Sequence, residues 1–235
     1  MSVSELLKSI APKYQEIVPS TGKKIWFRPF FVKEEKILLI AQETSKEVEI
    51  LNAIKTVVEN CFDGLGNAET IPIFDLEYLF LKLRSKSVQE VVNPILECPY
   101  TKEKLKLTIR LDEIQVKTFE SHTKDIKIND SIIIGMKYPS LSLLLENDVM
   151  DMSLINFYEM AINCIDYIET PSEKIDSANN IAEFRNFVDA LTTEQFDKII
   201  QFFATMPRIE HAVGYKTSDG EMREVVLRGI RDFFE

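Results

Sequence analysis

The residues able to do chemistry are few and far apart. His122 and His211 stand 89 positions from one another, and neither sits in an H-E-x-x-H helix. An imidazole base or a zinc-bound water therefore has no sequence frame, and each histidine is expected to be a surface or strand residue. Cys61, Cys98 and Cys164 are odd in number and widely spaced, which implies no disulfide framework. Cys98-Pro99-Tyr100-Thr101 has the outline of a zinc-ribbon knuckle with threonine in place of its second cysteine. Zinc takes four soft or imidazole ligands, and one thiolate does not make a site. The run reads instead as a tight turn joining two strands, shaped by Pro99. Gly64 and Gly66 form the one close glycine pair, without a dinucleotide fingerprint or a G-x-x-x-x-G-K-[ST] loop around them. No G-x-S-x-G elbow occurs. Glu34 and Glu35 are adjacent on a helix and do not face each other; they are expected beside Lys33 and Lys36 on a solvated side. The expectation is a non-enzyme with no catalytic, cofactor-binding or metal residues, and no cofactor.

A chain of 235 residues and 27.1 kDa can bury roughly 70% of the surface its unfolded form exposes, so it needs no covalent staples. With 45% hydrophobic and 28% charged residues it does not have the composition of a disordered protein. No apolar run approaches the ~18 residues needed to span a bilayer, and the N-terminus lacks a signal-peptide pattern. The expectation is a soluble, cytoplasmic chain. The net charge of −10 is unevenly placed. Residues 1–138 hold 20 basic and 20 acidic side chains, 139–205 hold 3 and 12, and 206–235 hold 5 and 6. The acidic stretch would repel a phosphate backbone, which argues against a nucleic-acid ligand there. It is either a well-solvated helical surface or a face for a basic partner.

The elements follow from periodicity. Ser4 is placed to cap a short opening helix, and Ile25-Trp26-Phe27 reads as a strand ending at Pro29. Two helices follow, the second with a stripe of Leu51, Ile54, Val57, Val58 and Cys61, broken at Asp63 to Asn67. Phe74 to Leu83 is apolar on more than one face, the mark of a helix central to a core or held between partners. From Ser87 to Met136 the period shifts toward two, which predicts a small antiparallel sheet. In the acidic region, Leu154, Ile155, Tyr158, Ala161, Ile162, Ile165 and Ile168 predict one amphipathic helix stopped near Pro171. Phe184, Phe187, Val188 and Leu191 mark a second. A capping box at Thr192 to Gln195 opens a third, carrying Phe196, Ile199, Ile200 and Phe203. Ile209 to Arg228 reads as a hairpin turning at Ser218-Asp219-Gly220. The expected fold is α+β: N-terminal helices packed on a small antiparallel sheet (1–138), an acidic helical subdomain (139–205), and a C-terminal β-hairpin with an aromatic tail (206–235). The three parts are expected to form one compact unit. The tail pair Phe233-Phe234 either folds back onto the domain or docks on a partner, where each ring would contribute roughly 1.5–3 kcal/mol.

Taken together, several blocks resemble a known family. FRPFFVKEEKILLIA (Phe27 to Ala41), ILNAIKTVVENC (Ile50 to Cys61) and FDLEYLFLKLRSKSVQE (Phe74 to Glu90) are similar to the N-terminal half of the baseplate hub and hub-assembly family of T-even-type contractile-tail bacteriophages. IIIGMKYPS (Ile132 to Ser140), LTTEQFDKIIQFFATMP (Leu191 to Pro207) and the hairpin running to Asp232-Phe233-Phe234 continue the likeness in order. The resemblance implies a non-enzymatic tail protein, a hub subunit or a hub-assembly factor acting by protein–protein binding, and it supplies no catalytic residues. Its implied partners are other baseplate hub or tape-measure proteins and a second copy of the chain in a homo-oligomer, with no nucleic acid and no membrane. Its implied place is the host cytoplasm during phage assembly or the virion tail baseplate. The contact residues expected are Tyr158 and Phe187 on the acidic helices and Ile230, Phe233 and Phe234 at the C-terminus. Removal of Ile230 to Glu235 is expected to weaken hub association and spare the fold. Two alternatives stand beside this: a transient chaperone of the tape-measure or hub proteins absent from the mature virion, and a tail-associated cell-wall hydrolase. The hydrolase requires two carboxylates converging about 5–10 Å apart.

Overall fold

The fold comes from a computed structural model, which describes residues 6, 10–44, 46–146, 154–177 and 180–233. The expected cap at Ser4 and the ring of Phe234 lie outside them. The chain divides into two units: residues 1–117 with 208–235, and residues 118–207.

In the first unit, Tyr14–Ile17 (β1) pairs antiparallel with Lys24–Phe27 (β2), which also pairs with Phe62–Asp63 (β3). Strict alternation in β2 buries Ile25 and Phe27 and leaves Lys24 and Trp26 outside. The Phe27 ring stacks on Phe62 at 4.8 Å. Helices Val32–Thr44 (α1) and Glu47–Cys61 (α2) pack on each other, and α2 buries Ile54, Val57, Val58 and Cys61. Ile73–Ser87 (α3) is the centre. Phe74, Leu76, Tyr78, Leu79, Phe80, Leu81 and Leu83 are all buried, so no single stripe describes it, as its all-round apolar sequence predicts. It touches α2 and a 3-10 turn at Leu111–Glu113.

The buried Asp75 and Lys82 of α3 are both hydrogen-bonded. Asp75 accepts from the Ser20 N–H at 3.0 Å and from the Ser20 hydroxyl. Lys82 donates to the Asp112 carbonyl at 2.6 Å, its ammonium 5.0 Å from the Tyr78 ring.

The residues after α3 do form antiparallel strands, but in scattered pairs. Val91–Val92 (β4) pairs with Ile109–Arg110 (β7), and Ile95–Glu97 (β5) with Lys104–Lys106 (β6) across the Cys98 turn. Val116–Lys117 (β8) joins the C-terminal hairpin instead. In the first unit, then, β4 to β8 form no single sheet.

The second unit is built on a four-stranded antiparallel sheet, in the order β12-β11-β10-β9. Its strands are Asp125–Lys127 (β9), Ile133–Met136 (β10), Ile165–Glu169 (β11) and Lys174–Asp176 (β12). Its helices are Leu141–Glu146 (α4), Leu154–Asn163 (α5), Ile181–Asp189 (α6) and Thr193–Thr205 (α7). One core gathers Ile126, Ile134, Met136, Ile162, Ile165, Phe184, Ile199 and Phe202. The capping box of α7 is present in both directions: Thr192 N–H donates to Gln195 Oε1 at 2.9 Å, and Gln195 N–H to Thr192 Oγ1 at 3.3 Å. Gly135 lies opposite Tyr167 in the β10–β11 register, and the Tyr167 ring occupies the space a Cβ would need.

One expected helix is corrected here. The helix opening at Leu154 ends at Asn163, and Ile165 to Glu169 is strand β11. Spacing by three through Ile162, Ile165 and Ile168 fits a helix, yet Ile165 and Ile168 also line the buried face of a strand that completes the sheet. β9 and β10 belong to that sheet, within the unit of residues 118–207.

Arg208–Lys216 (β13) and Met222–Arg228 (β14) form the hairpin expected at the C-terminus, with Gly220 at φ +89 in its turn. β13 also pairs with β8, Arg208 opposite Lys117, so residues 118–207 leave and rejoin the first unit at adjacent strands. Glu210 on β13 binds Lys117, Arg208 at 2.9 Å and Arg228 at 3.4 Å, tying the three strands together.

Candidate protein-binding surface

Helices α5 and α7 of the second unit meet through aromatic rings. Phe196, Ile200 and Phe203 share one face of α7 at the i, i+4, i+7 spacing. Tyr158 stacks on Phe196 with centroids 4.6 Å apart and planes 15° apart, while Phe157 meets Phe203 edge-on at 5.3 Å. Phe196 is buried, but Tyr158 is 46% and Ile200 37% exposed. The seam thus presents apolar surface to solvent. Ile200 was legible as part of the α7 stripe, but periodicity does not say which member of a stripe stays uncovered.

The unit that carries this seam has an acidic excess. Residues 118–207 carry fifteen acidic and six basic side chains. Glu183 and Asp189 on α6 and Glu194 and Asp197 on α7 are exposed. The cations are largely committed locally. Arg185 holds both oxygens of Glu159, linking α6 to α5 and keeping that carboxyl below its usual range. Lys198 donates to the carbonyls of Lys127 and Ile128 at 2.9 and 3.1 Å. Lys174 and Lys124 lie over the rings of Tyr167 and Tyr138. What the unit shows to solvent is therefore acidic, with aromatic edges.

The groups that might have done chemistry serve the structure. His122 bonds Thr205 and Tyr138, each at 3.0 Å, and its ring lies 5.1 Å from Phe202; burial and then Lys124 lower its pKa. His211 sits in the hairpin opposite Leu227. Cys98 is fully buried at the head of the β5–β6 turn, where Lys102 N–H donates to its carbonyl at 2.9 Å and Lys102 itself has φ +61. Burial raises its thiol, but hydrogen bonds from Thr101, Tyr215 and the Tyr100 N–H outweigh that and bring it to about 6. Burial pushes the Cys61 thiol up to about 11 and the Cys164 thiol to about 12. Among the described residues no three His, Cys, Asp or Glu side chains are placed to hold a metal ion, and no helix is long and apolar enough to cross a membrane.

Glu34 departs from its expected solvated position. It is fully buried, at the third position of α1, where its carboxylate accepts from the Phe31 N–H at 2.8 Å, from Arg28 at 3.1 Å and from Lys33 at 2.9 Å. Burial works against its ionisation, but these donors together hold its pKa low. Arg28 in turn donates to the Asn60 carbonyl at 3.0 Å, at the C-terminal end of α2. This ion pair joins β2, α1 and α2, and adjacency in sequence with Glu35 carried no sign of it.

Of the expected contact residues, Tyr158 and Phe187 belong to residues 118–207 and Ile230 and Phe233 to the first unit. Tyr158 stands at the exposed α5–α7 seam, and Phe187 is partly buried against the second unit's core. Ile230 and Phe233 are 5% and 0% exposed, folded back within the first unit, and Phe234 lies outside the described residues. The Ile230 N–H donates to Glu77 of α3 at 3.1 Å, so loss of residues 230–235 removes core from that unit. Fold-back is the arrangement seen for Phe233.

No curated protein sequence and no solved structure matches the chain. The family profile described as T4 bacteriophage base plate protein matches residues 11–235, from β1 to the last residue. The match takes in all of the second unit and all of the first but residues 1–10, and the protein belongs to this T4-type bacteriophage baseplate family.

Proposed function

We propose that the protein helps to build the central hub of the tail baseplate by binding other tail proteins, without catalysis, and that its binding surface is the acidic unit of residues 118–207. The observation carrying this reading is the α5–α7 seam: apolar edges at Tyr158 and Ile200 set in a unit with fifteen acidic and six basic side chains. Such a surface suits an amphipathic helix whose apolar side meets the seam and whose lysines and arginines meet the surrounding carboxylates. Hub and tape-measure proteins are the proposed source of that helix. Baseplate membership supports a place in the virion tail.

The chemistry of the surface also favours a reversible grip over a permanent one. Obligate subunit interfaces are large and apolar, whereas this one is small in apolar content and dominated by charge, so salt should weaken it. An assembly factor that releases its client has such a surface. Quantitative mass spectrometry of purified virions against infected-cell lysate tests this. Abundance in lysate with absence from virions supports the assembly factor, and a fixed small copy number in virions makes the protein a hub subunit. Absence of any co-purifying baseplate protein from the lysate refutes the binding role.

A further inference from the structure

Helix α1 has one covered face and one apolar face open to solvent. Glu34, Ile37, Leu38 and Ala41, at i, i+3, i+4 and i+7, are buried or half-buried. On the other side, Val32, Leu39 and Ile40 are 79%, 55% and 53% exposed. Lys36 and Glu43 complete that outer stripe, and both are exposed. A helix with so much uncovered aliphatic surface has an unfilled contact.

We propose that the outer face of α1 joins two copies of this chain, helix against helix and antiparallel about a two-fold axis passing between Leu39 and Ile40. The order of charge along the stripe selects a second copy. The cation, Lys36, lies toward the N-terminus, and the anion, Glu43, lies toward the C-terminus. An antiparallel two-fold arrangement sets Leu39 against Ile40 of the other copy and Lys36 against Glu43, twice over, as an isologous contact requires. The surrounding unit does not oppose this, since residues 1–117 and 208–235 hold 22 basic and 23 acidic side chains. The same stripe offers a basic or an acidic helix one attraction and one repulsion, which disfavours either as occupant. The residues of this contact all belong to α1, none of them to residues 118–207.

Sedimentation equilibrium on the full chain, from about 1 to 100 μM, tests the inference at protein–protein concentrations typical of such contacts. The expected result is a reversible dimer of twice 27.1 kDa. Leu39→Glu combined with Ile40→Glu should raise the dissociation constant by about a thousandfold with an unchanged circular dichroism spectrum. Lys36→Glu alone should weaken association about tenfold, and adding Glu43→Lys should restore it. A 27.1 kDa species throughout overturns the inference. So does a trimer or larger ring, or a dimer that the double substitution leaves intact.

Discussion

Glu210 allows the sharpest test of how the first unit is held together. Its carboxylate meets Lys117, Arg208 and Arg228 where β8, β13 and β14 run side by side. The Lys117 hydrogen bond, with Arg208 beside it, lowers the carboxyl from an ordinary 4.5 to about 2 against the opposing effect of burial. Fully realised, that difference corresponds to about 3 kcal/mol. The three cationic side chains are 47%, 30% and 64% exposed, so water screens them and the contribution should be about 1–2 kcal/mol. Because the folded pKa lies below the unfolded one, this stability is fully present above pH 4.5 and is lost as the pH falls through about 2. Glu210→Gln keeps the shape and removes the charge. Trp26 is the chain's one tryptophan and lies on β2, so its fluorescence in urea reports unfolding of this unit. With a slope of about 2 kcal/mol/M, the variant's midpoint should fall by roughly 0.5–1 M at pH 7, and the gap should close toward pH 2. Equal midpoints at pH 7, or a gap undiminished in acid, would show that the Glu210 charge does not stabilise the unit.

Other substitutions probe neighbouring parts of the account. Glu77 behaves oppositely to Glu210: burial raises its carboxyl to about 7 against the Ile230 N–H bond, so its contribution is complete below 4.5 and fades as pH rises through 7. Glu77→Gln should therefore flatten the decline in urea midpoint between pH 5 and 8, and an unaltered slope would assign the decline elsewhere. Phe233→Ala should destabilise the first unit by about 3–5 kcal/mol, read by Trp26 fluorescence, because the ring is fully buried. A loss below 1 kcal/mol would return Phe233 to the surface. Gly135→Ala places a methyl group where the Tyr167 ring lies and should cost the second unit about 1–3 kcal/mol in thermal unfolding followed by circular dichroism; a neutral result would show that the ring moves freely.

What could be read from sequence was what depends on neighbours along the chain. The Thr192–Gln195 capping box and the turn around Gly220 are local rules, and both are present. The central position of α3 was legible because apolar residues on every side of a helix leave it no solvated face. The failures involve distant partners. Ile165 and Ile168 prolong the α5 pattern, and only pairing with β10, thirty residues earlier, makes them a strand. Glu34 reads as a surface charge until Arg28 and the Phe31 N–H surround it. The acidic excess in the second unit was visible directly. Its pairing with an exposed aromatic seam was not, because Tyr158 and Ile200 come from helices that meet only in the folded unit.

Residues 118–207 are proposed to hold another baseplate protein by charge and apolar contact. Cross-linking mass spectrometry on the full chain purified from infected cells tests it most directly, comparing wild type with Tyr158→Ala combined with Asp197→Lys. The expected result is a set of cross-links from lysines of 118–207 to lysine-rich helical segments of hub or tape-measure proteins, lost in the variant and at high salt. Cross-links to baseplate proteins confined to residues 1–117 and 208–235, or unchanged in the variant, would contradict it.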